Sequence, residues 1–182
     1  MAGQRLTDKT ALAQPTASDD KLMVVDTSDT TGSSAGTSKK IDAKYIIQTD
    51  KIAVSNSDLQ AMDNTGGAGT FVQLVGAPGS GYFILPLSVQ IHCTYAASTE
   101  STNKNMFISF DPTDQVNYWG QVSRIMSSRT TNYVYMSFFR TSSSLALYDA
   151  SIENLPLKLS SNGNFNGGWS ANVYVTYQIV KA

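Results

Sequence analysis

The sequence predicts a mainly β protein, in which an antiparallel β-sandwich of the jelly-roll type follows an extended N-terminal arm with a short strand and a short helix. Three features of the 182-residue chain indicate this fold. Beyond Thr70 apolar and polar residues alternate, segments rich in Gly, Pro, Asn and Asp separate these stretches at strand-length spacing, and helical periodicity is absent after residue 65. We divide the chain into an arm at residues 1–50 and a sandwich domain at residues 51–182.

The arm carries only short signals for regular structure. Residues 1–20 are polar and lack apolar periodicity, so they are expected to be extended. The segment Asp20–Asp26 encloses an apolar run that suits one short strand, and residues 27–38 have the Ser, Thr and Gly content of a loop. At Lys39–Ile47 apolar residues recur at helical spacing, which favours a helix of about two turns.

The start of the sandwich domain combines a strand signal with a helix signal. Ile52–Val54 suits a short strand. Ser55 and Ser57 are candidate caps for a turn of helix that runs through Leu59 and Met62.

The clearest strand of the chain is predicted at Leu87–Tyr95. Its apolar residues, which should share the core face, are Leu87, Val89, Ile91, Cys93 and Tyr95. The same alternation occurs at Leu155–Leu159 and at Val173–Ile179. Because Pro156 has no N–H donor, its strand should lie at a sheet edge or begin there.

The segment Tyr133–Phe139 is apolar at nearly every position rather than at alternate ones. Such a strand either lies in the centre of a sheet with both sides covered, or has its second face against another subunit. Charged residues make up only 15% of the chain, and a surface so poor in charge is typical of extracellular β proteins and of surfaces buried in an assembly.

Composition also argues against several classes of function. A net charge of −1 provides no basic field for nucleic acid. The single Cys93 rules out an internal disulfide, and with one His and one Cys the chain cannot assemble a zinc site by itself. We find no signal peptide and no membrane-spanning run, so synthesis in the cytoplasm is expected.

No catalytic constellation emerges from the residues. His92 falls on the polar side of its predicted strand, and Asp111 with Asp114 sits in a turn where Asp is common for hydrogen-bonding reasons. The segment Asp26–Gly32 is only faintly like a calcium loop, and Gly76–Gly81 lacks the Lys and the helix of a phosphate loop. We predict no enzyme activity, no cofactor and no metal site.

Aromatic residues beside turns are the remaining candidates for binding. Tyr118, Trp119 and Trp169 adjoin Gly-rich or Asn-rich turns, where aromatic faces often contact sugars. The alternative, which we favour, is that these rings cover the ends of the sandwich core.

Two parts of the chain resemble proteins of tailed-phage particles. Asp19–Thr31 followed by Gly36–Ile41 resembles a segment near the N-terminus of many phage fibre and virion proteins. A second, looser pattern is similar to the compact C-terminal β domains of small phage fibres or head appendages, and it consists of Ile52–Leu59, Phe71–Val75, Ala77–Gly81, Phe83–Leu87 and Val173–Tyr177.

The resemblance implies a homotrimer in the virion, anchored to other virion proteins through residues 1–50, with a β-sandwich head that contacts a glycan or protein of the host surface. The attachment segment would use Leu22, Val24, Lys39, Lys40 and Ile41. Two other functions remain open. One is a capsid cement or decoration protein that bridges capsomers, and the other is a carbohydrate-binding sandwich domain.

Overall fold

The computed structural model describes residues 21–42, 46–63, 70–110, 118–137 and 152–182. The chain divides into two compact units, residues 1–46 and residues 47–182. The described part of the first unit is a two-stranded hairpin, and the second unit contains two four-stranded sheets.

The hairpin consists of β1 (Lys21–Asp26) and β2 (Thr37–Asp42), which pair antiparallel from Lys21 opposite Asp42 to Asp26 opposite Thr37. The strand predicted at Asp20–Asp26 is therefore present. The helix predicted at Lys39–Ile47 is wrong for its first part, because residues 39–42 belong to β2. A helix of about two turns is marginal by itself, and pairing with β1 provides these residues with backbone partners that a short helix lacks. Residues 43–45 of that prediction lie outside the described residues.

The second unit is a β-sandwich, and its mainly β fold with antiparallel sheets confirms the predicted fold class. One sheet has the order β3-β10-β5-β8 and the other the order β4-β9-β6-β7. The strands are β3 (Gln48–Val54), β4 (Val72–Val75), β5 (Tyr82–Tyr95), β6 (Met106–Ser109), β7 (Tyr118–Val122), β8 (Tyr133–Ser137), β9 (Leu157–Ser161) and β10 (Trp169–Lys181).

The core lies between the two sheets and follows the alternation of the sequence. Val173 and Val175 of β10 are 0% exposed, as are Leu157 and Leu159 of β9 in the other sheet. Each such side chain contributes roughly 1.5–3 kcal/mol through its removal from water. β9 begins directly after Pro156, as predicted from the missing donor of that residue.

A short helix, α1 (Asn56–Ala61), follows β3 at the predicted place. Its N-terminus is a capping box. The Ser55 hydroxyl accepts a hydrogen bond from the Asp58 N–H at 3.1 Å, and the Asp58 carboxylate accepts one from the Ser55 N–H at 2.9 Å. Leu59 and Met62 are completely buried, so the helix closes the core at this point.

One residue of the best predicted strand points the other way. Thr176 pairs with Ser88 and Tyr177 with Pro86, so Leu87 has no partner on β10 and forms a bulge. Val89, Ile91 and Cys93 are buried as predicted, but Leu87 is 37% exposed on the outward face. The prediction for Leu87 was wrong because the bulge shifts the alternation by one residue.

β8 forms at the predicted segment but not in the centre of a sheet. Among the strands that the structure describes, it pairs only with β5. Val134 is 56% exposed and Tyr135 is 39% exposed, so the central position is wrong for these residues. The alternative, in which another subunit covers this strand, stays a prediction. Residues 138 and 139 lie outside the described residues.

A buried glutamate joins three loops at one end of the sandwich, two through its carboxylate and the third through its main-chain carbonyl. Glu100 is 0% exposed. Its Oε2 accepts the main-chain N–H groups of Asn166 and Gly167, each at 2.8 Å, and its Oε1 accepts the Thr102 N–H at 2.8 Å and the Thr102 hydroxyl. Its own carbonyl accepts the Ser128 N–H at 3.0 Å. The donors to the carboxylate, which are the N–H groups of Asn166, Gly167 and Thr102 and the Thr102 hydroxyl, would be left without this acceptor if the carboxylate were removed.

We expect Glu100→Gln to lower the free energy of unfolding by about 2–3 kcal/mol, because the amide NH2 group would face buried N–H donors. Urea denaturation measures this change. The control is Thr99→Ala at the exposed neighbouring position, which should change the free energy of unfolding by less than about 0.5 kcal/mol. Wild-type stability in Glu100→Gln would contradict the role assigned to the carboxylate.

Candidate attachment hairpin and predicted contact residues

The hairpin separates the predicted attachment residues onto two faces. Residues directly opposite each other in an antiparallel pair share a face, and Leu22 lies opposite Ile41 while Val24 lies opposite Lys39. We call these four residues the attachment face. Lys40, the fifth predicted residue, lies opposite Met23 on the reverse face. Leu22, Lys39 and Lys40 also line a groove of about 410 Å³ on this unit.

Apolar side chains are exposed on both faces of the hairpin. On the attachment face Leu22 is 36% and Val24 is 41% exposed. On the reverse face Met23 is 73% and Val25 is 57% exposed. A two-stranded hairpin is marginally stable at best when nothing covers it, and contiguous exposed apolar residues mark sites where another molecule packs. The hairpin therefore has the properties of a docking element.

The loop of the hairpin is held by charges on the attachment face. The Lys39 ammonium lies 3.0 Å from Oδ2 of Asp26 and 2.8 Å from Oδ2 of Asp29. Each carboxylate also accepts the N–H of the residue two positions later, Ser28 for Asp26 and Thr31 for Asp29, both at 3.0 Å. These are Asx turns closed by an ion pair.

The same contacts shift the acidity of both carboxyl groups. The Ser28 hydroxyl, and after it Lys39, holds the pKa of Asp26 well below its usual range. The hydrogen bond from Lys39 is the largest cause that lowers the pKa of Asp29 to about 2. Lys39 thus pairs with both carboxylates of the loop. The sequence predicted a loop at residues 27–38 from its composition, but the ion pairs with Lys39 depend on strand register and were not foreseen.

Gly36 is the residue that lets the loop return to β1. Its φ is +112°, and a Cβ at this position would lie 2.7 Å from the Asp26 carbonyl oxygen and 2.9 Å from a methyl group of Val25. Only glycine fits such a left-handed position against the neighbouring backbone.

The predicted aromatic contacts have different surroundings. Trp169 is only 1% exposed, and its ring makes edge contacts with Tyr95 and Tyr133 at centroid distances of 5.2 Å and 5.8 Å. Trp169 is therefore a core residue and not a surface contact, as the favoured alternative predicted. It was misplaced as a contact candidate because glycines precede it, yet these glycines serve close packing against the loop that contains Glu100.

Trp119 and Tyr118 both lie on β7. Trp119 is partly buried and packs against the core, so only part of its ring is accessible. The side chain of Tyr118 lies outside what the structure describes. The structure brings neither residue next to Trp169 in any described contact.

The residues that were considered for chemistry are either buried or hydrogen-bonded to other groups of the protein. Burial raises the pKa of the Cys93 thiol to about 11, and a thiol of this kind is a poor nucleophile. In the glycine loop, the Gly79 N–H donates to Oδ1 of Asn154 at 2.9 Å and the Gly81 N–H donates to Oε1 of Glu153 at 2.5 Å. These amides are thus already bonded to side chains of the protein.

His92 lies on the outward side of β5, opposite Asn172 and Val134. Asp111 and Asp114 lie outside the described residues. Within the described ranges no group of three His, Cys, Asp or Glu residues is placed to hold a metal ion.

No protein-family model matches the chain, and a comparison with curated proteins finds no significant relative. In the parts of the chain that the structure describes, no helix is long and apolar enough to cross a membrane.

The ion pair of the hairpin loop leads to a pH prediction. The pKa of Asp29 is lowered when folded, so its stabilising contribution is present above the unfolded pKa of about 3.9 and is lost as the pH falls through about 2. In Lys39→Met we expect the Asp29 midpoint to rise toward about 3.9, as followed by NMR titration of the carboxyl carbon. The matched control is Lys40→Met on the reverse face, which should leave the midpoint near that of the wild type. An unchanged midpoint in Lys39→Met would contradict the ion pair.

Proposed function

We propose that the protein is a non-enzymatic structural component of a phage particle. It is a fibre-type appendage that is anchored through the hairpin and presents a trimeric β-sandwich head. The observation that carries this proposal is the contrast between a sandwich that has a buried core and a hairpin whose apolar residues are exposed on both faces.

The hairpin supports an anchoring role because its energetics require a partner. Its apolar side chains, Leu22 to Val25, have no core of their own among the described residues. Removing such surface from water contributes roughly 25 cal/mol for each Å² that a partner covers. The loop charges do not oppose this docking, because Lys39 is already paired with two carboxylates.

The sandwich supports a structural role because its potentially reactive groups are buried or already hydrogen-bonded within the protein. Cys93 is buried with a raised pKa, and the described glycine-loop amides are bonded to Glu153 and Asn154. The resemblance of residues 19–41 to virion attachment segments directs the proposal to phage particles. The same resemblance is the reason why we propose that three copies of the chain associate.

Host-surface contact is proposed for the loop end of the sandwich, where Glu100 joins the loops. Arg124, Met126 and Ser128 all have positive φ there, at 51°, 67° and 56°. Non-glycine residues adopt such conformations only when the surrounding structure enforces them, and they cluster at binding sites. The Arg124 N–H donates to Oδ1 of Asn105 at 3.1 Å, so this loop presents its exposed side chains from a fixed backbone.

Incorporation into particles tests the anchoring role. We expect Val24→Asp, which places a charge on the attachment face, to reduce the amount of epitope-tagged protein on purified phage particles severely. Immunoblotting measures the amount, and immunogold labelling shows whether it lies on the tail or the capsid. The control is Thr99→Asp in the sandwich, which adds the same charge at an exposed loop position and should incorporate normally.

Two outcomes would count against the proposal. Normal incorporation of Val24→Asp would contradict anchoring through the hairpin. Particles that lose heat resistance without the protein, while adsorption to host cells is unchanged, would instead favour a capsid cement.

A further inference from the structure

The outward side of the sheet β3-β10-β5-β8 is organised by the alternation of β10. Its odd-numbered residues from Trp169 to Ile179 point into the core and are buried. Its even-numbered residues, such as Asn172 and Tyr174, are therefore on the outside and are half-buried. We call the outward side of this sheet the outer face.

The strand registers arrange the outer face in three rows across the sheet. Asn172 pairs with both Ala53 and His92, Tyr174 pairs with both Lys51 and Gln90, and Thr176 pairs with both Thr49 and Ser88. On β8, Val134 continues the first row and Met136 the second. The rows are Ala53, Asn172, His92 and Val134; Lys51, Tyr174, Gln90 and Met136; and Thr49, Thr176 and Ser88.

The three rows contain almost no charge. Of the residues in these rows, Lys51 alone is an Asp, Glu, Lys or Arg. Lys51 lies on β3, a strand at the edge of this sheet, and its ammonium lies 5.8 Å from the centre of the Tyr174 ring. The solvated face of an antiparallel sheet is ordinarily polar, and like charges on two surfaces prevent them from associating. The outer face lacks that protection at its centre.

Apolar side chains add to this face at two places. Where β8 borders the outer face, Val134 is 56% exposed. The bulge at Leu87 turns this residue outward together with Leu85, and they are 37% and 41% exposed.

The outer face is large enough to form the centre of an interface. β10 has 13 residues and so extends over roughly 40 Å, and four strands place the axes of the outer two about 14 Å apart. The product is roughly 600 Å² before the relief of the side chains is counted, below the about 800 Å² that each partner contributes to a standard stable interface, so residues at the border of the face must add to the contact.

The chemistry of the rows favours a second copy of the chain over a charged partner. A strongly charged partner would have its charges removed from water without counter-charges to meet them. By contrast, the side chains of Asn172, Gln90 and Thr176 both donate and accept hydrogen bonds. Two copies of the face can therefore satisfy each other, and Lys51 stays at the border.

We propose that the outer face is the surface through which copies of this chain associate, with Asn172 and Gln90 near its centre. This inference rests on the proposed function, which supplies the number of three copies, and it names the surface through which they associate. Around a three-fold axis each copy of the face would share its area between two neighbours, so the border of the face would extend the contact.

The test is the mass of the full chain in solution at about 10 µM, measured by light scattering after size exclusion. We expect the wild type to have three times the 19.6 kDa of one chain, and the double variant Asn172→Asp, Gln90→Glu to have the mass of one chain. Each change keeps the shape of the side chain, so the fold should survive. Like charges that face each other in a desolvated interface should weaken association by about a hundredfold or more.

The matched control is Asn132→Asp, Gln60→Glu, which makes the same chemical changes at exposed positions outside the three rows. The Asn132 Oδ1 that accepts the Tyr95 N–H is retained as a carboxylate oxygen. We expect the control to keep the wild-type mass. Thiol labelling reports the fold in every variant, since Cys93 is buried and should stay unreactive without denaturant.

The outcomes separate the two proposals. A wild type with the mass of one chain would overturn both the association face and the trimeric head. A wild-type trimer together with a trimeric Asn172→Asp, Gln90→Glu variant would overturn the association face alone. If Val24→Glu in the hairpin then gave single chains, the copies would be held by the hairpin instead. Loss of association in both double variants would also contradict the inference, because the control lies outside the face.

Discussion

The pairing of β10 with both of its neighbours is the constraint on which the rest of the sandwich depends. Its 13 residues pair with β5 over their whole length and with β3 over the first part. Because successive side chains of a strand alternate between faces, this one strand determines both surfaces of the sheet. Trp169, Val173 and Val175 fill the core, while Asn172 and Tyr174 form the centre of the outer face.

The same alternation explains what could be predicted from the sequence. A strand such as Val173–Ile179 shows its buried side directly in the order of its residues, so the mainly β fold and its best strands were predictable. Leu87 was not, because a bulge depends on how two distant strands register, and the residues of β5 alone carry no sign of it. β2 was mistaken for a helix for a similar reason, since its partner β1 lies beyond a loop.

The functional residues were harder to predict than the strands. Lys39 was identified by resemblance as an attachment residue, but its ion pairs with Asp26 and Asp29 arise only when the hairpin closes. Glu100 gave no signal in the sequence, because a single Glu in a polar loop is ordinarily on the surface. Only the fold brings the N–H groups of Asn166 and Gly167 to it.

The two units differ in how much of their apolar surface they bury themselves. The sandwich buries its apolar residues between two sheets and satisfies Glu100 with internal donors, so its stability comes from its own contacts. The hairpin orders its loop with charges but leaves the apolar residues of β1 on both faces in water. An element of this kind gains its stability on docking, and the docked partner is what the proposed role in a particle provides.

Oxidation of Met23 tests this account most directly. Met23 is 73% exposed in the hairpin, whereas Met62 is 0% exposed and Met106 is 1% exposed in the sandwich core. Mild peroxide oxidises accessible methionines, and peptide mass spectrometry gives the rate for each. The account predicts rapid oxidation of Met23 in the free protein and much slower oxidation in assembled particles, while Met62 and Met106 react slowly in both. Equal Met23 rates in the free and the assembled protein would contradict it, because the account requires a partner to cover the apolar residues of both faces, including Met23 on the reverse face.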